Sequence, residues 1–287
     1  MIQIFKTVDN KITSTDSFSE GIWVNLVNPT EDEIKRVADA LNVETDFLKA
    51  ALDEEERARI EHDNGQTLII VDIPIVEKDG QMSIYTTIPL GIIVIKGAII
   101  TVCLKEVTLL ADFANDKVKT FVTQYKTRFI LQILFKNAIN FLQYLKHIDK
   151  TSSRIEQDLH KSMKNKELIQ MLKLQKSLVY FSTALKANEV VLEKLAKYEH
   201  IKLYEEDMEL LDDVIIENKQ AIEMANIYSN ILTGTMDAFA SVISNNLNIV
   251  MKFLTSVTIV MAIPTIVASF FGMNVDLPLT SPYSFWI

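Results

Sequence analysis

The stretch "FLTSVTIVMAIPTIVASFF", residues 253–271, decides how the rest of this 287-residue chain is interpreted. It carries no charge and has about the length that spans a bilayer, which takes roughly 20 apolar residues as a helix. Lys252 precedes it and would mark its cytoplasmic end. Pro264 interrupts it, and membrane helices accept proline more readily than buried soluble helices do. The stretch predicts a transmembrane helix, with a buried core helix as the alternative.

The distribution of proline and glycine divides the chain. Between residues 98 and 263 there is no proline and one glycine, Gly234, which favours long helices. Before residue 98, runs rich in Ile, Val and Thr alternate with two short amphipathic segments, the first with Thr30 and Glu33 spaced as a capping box. An Asn-Gly and an Asp-Gly pair are typical of hairpin turns. We expect an α/β domain with a mixed or antiparallel sheet, followed by long helices.

Three segments have helical periodicity. Two amphipathic helices, joined near Asn165, are predicted to pair antiparallel. In the third segment, residues 205–271, apolar residues recur three or four positions apart, which predicts one continuous helix with at most a bend near Pro264. A helix this long needs a partner surface, and a parallel bundle of identical chains supplies one.

The polar residues of the third helix change character along its length. Its first part is strongly acidic, whereas from Met224 to Met251 the only charge is Asp237, among several Asn, Ser and Thr. This pattern fits either an ordinary solvated face or a water-filled channel. The hydroxyls within residues 253–271 likewise either bond back to their own helix or face a pore.

Composition limits the function further. A net charge of −9 disfavours nucleic acid as a partner. The single cysteine, Cys103, excludes a disulfide framework, and the N-terminus lacks a secretory signal, so we expect most of the chain in the cytoplasm. Tyr283, Phe285 and Trp286 predict an aromatic interface belt, and Ile287 is expected to begin a second membrane helix.

The motif Gly272-Met273-Asn274 directly follows the predicted membrane helix. With the α/β domain, the paired helices and the long helix entering the membrane, it resembles the CorA family of magnesium channels and transporters across the whole chain. The family commonly has Tyr where this chain has Phe271, and its second membrane helix and basic tail are not part of this sequence. The resemblance implies an α/β cytoplasmic domain, a long helical stalk and a C-terminal transmembrane helix in a funnel-shaped homo-oligomer.

The expected domains follow from this resemblance and from the composition. They are the cytoplasmic α/β domain (1–124), the antiparallel helix pair (125–204), the stalk part of the long helix (205–250), the pore-lining transmembrane helix (251–271), and an extracellular loop with the start of the second membrane helix (272–287).

The family implies a homopentamer whose first membrane helices line the conduction path. Gly272, Met273 and Asn274 would form the selectivity filter, with five Asn274 amides accepting hydrogen bonds from the water shell that Mg²⁺ gives up reluctantly. Gly272 would let the chain turn after the helix, as a C′ residue does. The family's pore positions fall on Asp237, Asn248, Met251 and Thr265, while Ala262 replaces a usual Met and puts a constriction there in doubt.

The family also implies regulatory Mg²⁺ between neighbouring cytoplasmic domains. Asp213 matches one side of such a site. The opposite side falls near Lys49 and Ala50, so either Asp53 or Glu54 substitutes there or the site is weakened. Mg²⁺ is therefore expected as both the transported and the regulatory ion.

The leading hypothesis is a Mg²⁺ influx channel of the plasma or inner membrane, gated by cytoplasmic Mg²⁺. Its partners would be identical subunits, the lipid bilayer and hydrated divalent cations. A transporter of Co²⁺, Ni²⁺ or Zn²⁺ is the nearest alternative, although the four histidines show no ligand spacing. A membrane-anchored coiled-coil scaffold would leave the neutral polar stretch unexplained. An enzyme is not expected, because no phosphate loop or nucleophile elbow is found.

Overall fold

The structure, a computed structural model, describes residues 1–80, 82–162, 165–198, 201 and 204–272. By its internal contacts the chain divides into two units, Met1–Thr233 and Gly234–Ile287. The elements are β1 (Ile2–Val8), β2 (Lys11–Ser14), β3 (Ile22–Val27), α1 (Glu31–Leu41), α2 (Thr45–Ala50), β4 (Arg59–Asp63), β5 (Gln66–Asp79), β6 (Met82–Val94), β7 (Ala98–Cys103), α3 (Thr108–Ala114), α4 (Lys126–Ser162), α5 (Asn165–Leu195) and α6 (Glu205–Phe271).

The strands form one seven-stranded sheet in the order β2-β1-β3-β7-β6-β5-β4. Strands β3 and β7 are parallel and the other neighbours are antiparallel, so the expected mixed sheet is confirmed. Asn64 and Gly65, at the β4–β5 turn, have φ of 48° and 75°, as a two-residue hairpin turn requires. Strand β2 was not predicted; its signal was the turn at Asp9 and Asn10, whose φ values of 50° and 60° are also positive.

Helices cover both faces of the sheet. On one face, α1 and α2 bury residues such as Ile34 and Leu48 against the strands. On the other face, α3, α4, α5 and the start of α6 share a core with the strands, centred on aromatic residues such as Trp23 and Phe129. These two rings lie 5.1 Å apart in an edge-to-face arrangement, which adds specific attraction to the area they bury.

Local sequence signals explain how α1 begins and how closely α2 packs. Thr30 accepts a hydrogen bond from Glu33 N–H, and the Glu33 carboxylate accepts one from Thr30 N–H, so the predicted capping box is confirmed. The end of helix α2 lies very close to β6. A Cβ placed on Gly91 would be only 2.8 Å from the Cβ of Ala51, the residue that follows the helix. A glycine is therefore required at this point of the sheet.

Asparagine side chains fasten α4 and α5 to the sheet. Strand β4 begins at Arg59, which pairs with Ile70 of β5. Beyond Ile70, β5 therefore has no strand partner on the β4 side. There, Asn188 Oδ1 accepts the Asp72 N–H at 2.8 Å, and Asn188 Nδ2 donates to the Asp72 carbonyl at 2.8 Å. Asn137 Nδ2 donates to the same carbonyl at 2.9 Å. The two amides thus replace the missing strand, as buried backbone polar groups need partners.

The three long helices form as the sequence predicts. Phe141 of α4 and Phe181 of α5 are in edge-to-face contact at 5.0 Å, and the short connection between these helices makes them antiparallel. Asn218 of α6 donates to the Leu185 carbonyl of α5 at 3.1 Å. Helix α6 is continuous for 67 residues, with Pro264 inside it. The continuous-helix prediction is therefore confirmed.

Candidate ion-conduction site

One face of α6 in the second unit is made of polar or small residues. Its members follow one another at alternating intervals of four and three residues, and such residues share one side of a helix. They are Asp237, Ser241, Ser244, Asn248, Met251, Thr255, Thr258, Ala262, Thr265 and Ser269, with Gly272 next in the series. Met251 is the only large apolar residue among them. We call this set the polar stripe.

The polar stripe contains the four expected pore positions, Asp237, Asn248, Met251 and Thr265. The structure brings them onto one helix face, and their role in a pore stays a prediction. Ala262 is a fifth family position, and Thr255, Thr258 and Ser269 belong to the hydroxyls for which a pore was one alternative; sequence reasoning missed only Ser241 and Ser244. Their signal was present as the regular three-four spacing, which becomes apparent once the helix is known to be continuous.

Four hydroxyls of the apolar segment make the same local contact. Thr255, Thr258 and Thr265 donate to the backbone carbonyl four residues earlier, at 2.8, 2.8 and 3.0 Å. Ser256, which lies off the polar stripe, does the same at 2.9 Å. A hydroxyl that has donated its proton keeps its lone pairs as acceptors. These side chains can therefore still accept hydrogen bonds from water.

The remaining faces of the same segment are apolar and exposed. Phe253, Val260 and Met261 are 68%, 64% and 67% exposed. An 18-residue window of α6 has a mean hydropathy of 2.0, and among the described residues this is the one helix long and apolar enough to cross a membrane. An exposed apolar surface of this extent needs lipid or protein against it.

The predicted selectivity filter lies mostly outside the described residues, which end at Gly272; Met273 and Asn274 follow. The Gly272 N–H donates to the Ala268 carbonyl at 3.0 Å and so continues the helical hydrogen bonding. Gly272 is not among the glycines with positive φ, which are Gly21, Gly65 and Gly80. Gly272 therefore lacks the left-handed φ typical of a C′ glycine, and the turn expected after it lies outside the described residues.

The candidate regulatory residues are all exposed. Asp213 lies on α6, while Asp53 and Glu54 lie in the turn after α2, where Asp53 Oδ1 accepts the Glu55 N–H at 3.0 Å. Among the described residues of this single chain, no three His, Cys, Asp or Glu side chains are grouped to hold a metal ion. A site between neighbouring chains, as the family implies, stays a prediction.

The charges near these residues are mixed. The hydrogen bond that Lys105 donates to the Glu77 carboxylate, helped by the Glu77 and Glu54 charges, raises the pKa of Lys105. The Lys49 ammonium lies 2.7 Å from the Glu31 carboxylate. Lysine charges next to the turn oppose a divalent cation there, so Glu54 would attract Mg²⁺ more weakly than an isolated carboxylate.

The fold, with a long helix that could span a membrane, is that of a family of membrane transport proteins. The chain belongs to the CorA-like Mg²⁺ transporter protein family, which it matches over residues 18–287. It is 30% identical over 282 residues to the cobalt/magnesium transport protein CorA of Methanocaldococcus jannaschii, a match that covers 93% of this chain and 84% of that protein.

Solved structures agree with this assignment. The complete structure of the CorA magnesium transporter from Methanocaldococcus jannaschii matches with a TM-score of 0.87 and 26% identity, over 100% of this chain and 92% of that chain. The predicted fold class, an α/β domain followed by a long C-terminal helix that could span a membrane, is therefore confirmed. The ZntB cytoplasmic domain from Vibrio parahaemolyticus matches with a TM-score of 0.64 over 86% of this chain and 97% of that one. At 13% identity, that likeness shows the fold alone.

Proposed function

We propose that this chain is one subunit of a channel that carries hydrated Mg²⁺ into the cell along a ring of α6 helices. The observation that carries the proposal is the polar stripe, a line of mostly small and polar residues that runs on through a segment whose other faces are largely apolar. On a lone helix surrounded by lipid, such a line of polar groups would have no water to contact. In a ring of helices, it can face enclosed water.

The chemistry of the polar stripe suits a cation that keeps its water. Mg²⁺ sheds its octahedral water shell reluctantly, so the pore must interact with the hydrogens of the bound waters. Hydroxyl and amide oxygens accept those hydrogen bonds, and their neutrality lets the ion leave again. Asp237 is the only charge in the polar stripe, and it would raise the local concentration of cations. Neutral acceptors along the remainder favour passage over tight binding.

One helix per chain cannot enclose a pore, so the proposal requires a closed ring of identical subunits. The family resemblance favours five. The apolar faces of α6 would then meet lipid and neighbouring protein. Lys252, which directly precedes the apolar segment, would mark its cytoplasmic side, with the N-terminal unit in the cytoplasm and the ring in the cell membrane.

Regulation by cytoplasmic Mg²⁺ is a second part of the proposal. Asp213 of one subunit and Asp53 or Glu54 of its neighbour would share an ion, which holds the closed arrangement. When Mg²⁺ falls, the unshielded carboxylates repel and the open state gains population. Loss of Asp213 should therefore leave flux less sensitive to internal Mg²⁺.

The ion itself has a specific second candidate. The relative named cobalt/magnesium transport protein makes Co²⁺ a candidate for this chain as well. Zn²⁺ and Ni²⁺ have weaker support, since the likeness to the ZntB domain extends to the fold only. The test is uptake into liposomes that contain the protein, with Mg²⁺, Co²⁺, Ni²⁺ and Zn²⁺ measured in parallel. Uptake of Mg²⁺ above protein-free liposomes supports the proposal, and uptake of Zn²⁺ alone contradicts it.

A further inference from the structure

Helix α5 has an exposed face that is half apolar and half basic. Leu172, Val179 and Val190 are 50%, 54% and 51% exposed. The face comprises Ile169, Leu172, Lys176, Val179, Lys186 and Val190, spaced three, four or seven residues apart on one side of the helix. Lys194 continues it. We call these residues the α5 face.

Helix α6 has an exposed face of the opposite charge. Ile216, Ile227 and Ile231 are 60%, 53% and 54% exposed. On the same side of the helix lie the exposed acids Glu209, Asp212 and Glu223. We call these six residues the α6 face. Large aliphatic side chains half exposed on both helices are more than a solvated surface needs, and the opposite charges make the two faces complementary.

Polar contacts within one chain fix the positions of the two faces along the helix axis, which we call their heights. Gln175 Nε2 donates to Thr233 Oγ1 at 3.0 Å, and Ser182 Oγ donates to Asn226 Oδ1 at 3.2 Å. These antiparallel pairs place Val179 within one helical turn of the height of Ile227.

The Leu185–Asn218 hydrogen bond at 3.1 Å fixes the local register further along the helix pair. It places Val190 within one turn of the height of Ile216, and Lys194 level with Glu209. At each of these heights the two faces therefore present matching chemistry, apolar with apolar and basic with acidic.

We propose that the α5 face of one subunit packs against the α6 face of the next subunit in the ring. The inference rests on the proposed function, which requires the ring. Rotation about an axis along these helices leaves heights unchanged, so residues level within a chain are level between neighbours. Val179 then meets Ile227, Val190 meets Ile216, and Lys194 meets Glu209. A contact between two different faces is heterologous, and such contacts close rings, whereas pairing either face with itself sets like charges together.

Cysteine cross-linking tests this contact on a clean background, because the only cysteine, Cys103, is buried. The variant with both Val179→Cys and Ile227→Cys is oxidised mildly in detergent and separated by denaturing electrophoresis. We expect a ladder of cross-linked chains that ends at the size of the ring. The matched control carries Asp39→Cys, exposed on α1, with Ile227→Cys, and should give no ladder. When chains with only Val179→Cys and chains with only Ile227→Cys, differently tagged, assemble together, we expect dimers that contain both tags.

Native mass measurement of the same samples separates the outcomes. A ring without a ladder overturns the contact and leaves the channel proposal intact. A cross-link confined within one chain, or formed by Val179→Cys alone, overturns it as well. A monomer overturns both the contact and the ring. Charge exchange gives a second readout: Lys194→Glu should lower the cross-link yield about fivefold, the effect of an exposed ion pair, and adding Glu209→Lys should restore it.

Discussion

Arg128 of α4 and Asp207 of α6 form an ion pair, with Arg128 Nη1 3.6 Å from Asp207 Oδ1. Asp207 lies in the first turn of α6 and its side chain is only 6% exposed, while Arg128 is 33% exposed. The pair therefore fastens the start of the long helix to α4. A buried carboxylate also gains from the positive end of the helix dipole at this position.

Replacing Arg128 should lower the free energy of unfolding more than replacing Asp207. Arg128→Met leaves the Asp207 carboxylate buried without its cation, and we expect a loss of about 3 kcal/mol in the free energy of unfolding. Asp207→Asn leaves only a partly solvated arginine and should cost about 1 kcal/mol. Chemical denaturation of the detergent-solubilised protein measures both. Equal losses for the two variants would show that an unpaired buried Asp207 carboxylate is not the reason for the loss of stability.

Asp72 should make the α/β domain less stable as the pH rises. Burial raises the pKa of the Asp72 carboxyl from 3.8 to about 6. The folded state therefore holds the proton more tightly than the unfolded state, and stability falls as pH rises from 3.8 to about 6, then levels off. Asp72→Asn should remove this slope and raise the free energy of unfolding at pH 7 by about 3 kcal/mol. Denaturation across this pH range measures it, with exposed Asp39→Asn as the control, and an unchanged slope in Asp72→Asn would contradict the assignment.

Gly91 should be required for the position of α2. Gly91→Ala brings a methyl group within 2.8 Å of Ala51 Cβ, and such overpacking costs about 2 kcal/mol. Gly97→Ala is the matched control, since its new Cβ meets only the flexible Glu20 Cγ, at 3.4 Å. Adding Ala51→Gly to Gly91→Ala should recover much of the lost stability. If it does not, the Cβ contact is not the cause.

The hydroxyl of Thr265 should matter for ion flux because of the face it occupies. Thr265→Val keeps the shape and removes an acceptor from the polar stripe, so we expect Mg²⁺ flux to fall several-fold. Ser256→Ala removes a hydroxyl with the same backbone contact but off the polar stripe, and should leave flux unchanged. Liposome uptake measures both variants. Equal effects of the two changes would argue against a water-facing stripe.

Much of the fold could be predicted because its signals are local. The three-four spacing and the lack of breakers between residues 98 and 263 predict the continuous α6, and Asn-Gly predicts the β4–β5 turn. Strand β2 was missed because its four residues, Lys11–Ser14, are too short for a clear alternation. The asparagine contacts with Asp72 join residues more than sixty positions apart and have no local signal.

The candidate site was less predictable. Family positions gave five members of the polar stripe, including Ala262. That the hydroxyls lie on the same face as these five becomes apparent only when the three-four spacing is followed along one continuous helix. The φ of Gly272 depends on the backbone around it, so residue type alone does not specify it. A regulatory site shared by Asp213 and a neighbour's Asp53 or Glu54 depends on a second chain, which no pattern within one sequence specifies.

Asn274 offers the most direct test of the claim that this chain conducts a hydrated divalent cation. Asn274→Leu keeps a similar size and removes the amide oxygen, so Mg²⁺ uptake into liposomes should collapse while native mass shows an intact ring. Asn274→Asp keeps an oxygen but adds a charge on every subunit, and should slow Mg²⁺ by holding it longer. A fully assembled Asn274→Leu protein that carries Mg²⁺ at the parent rate would contradict the account.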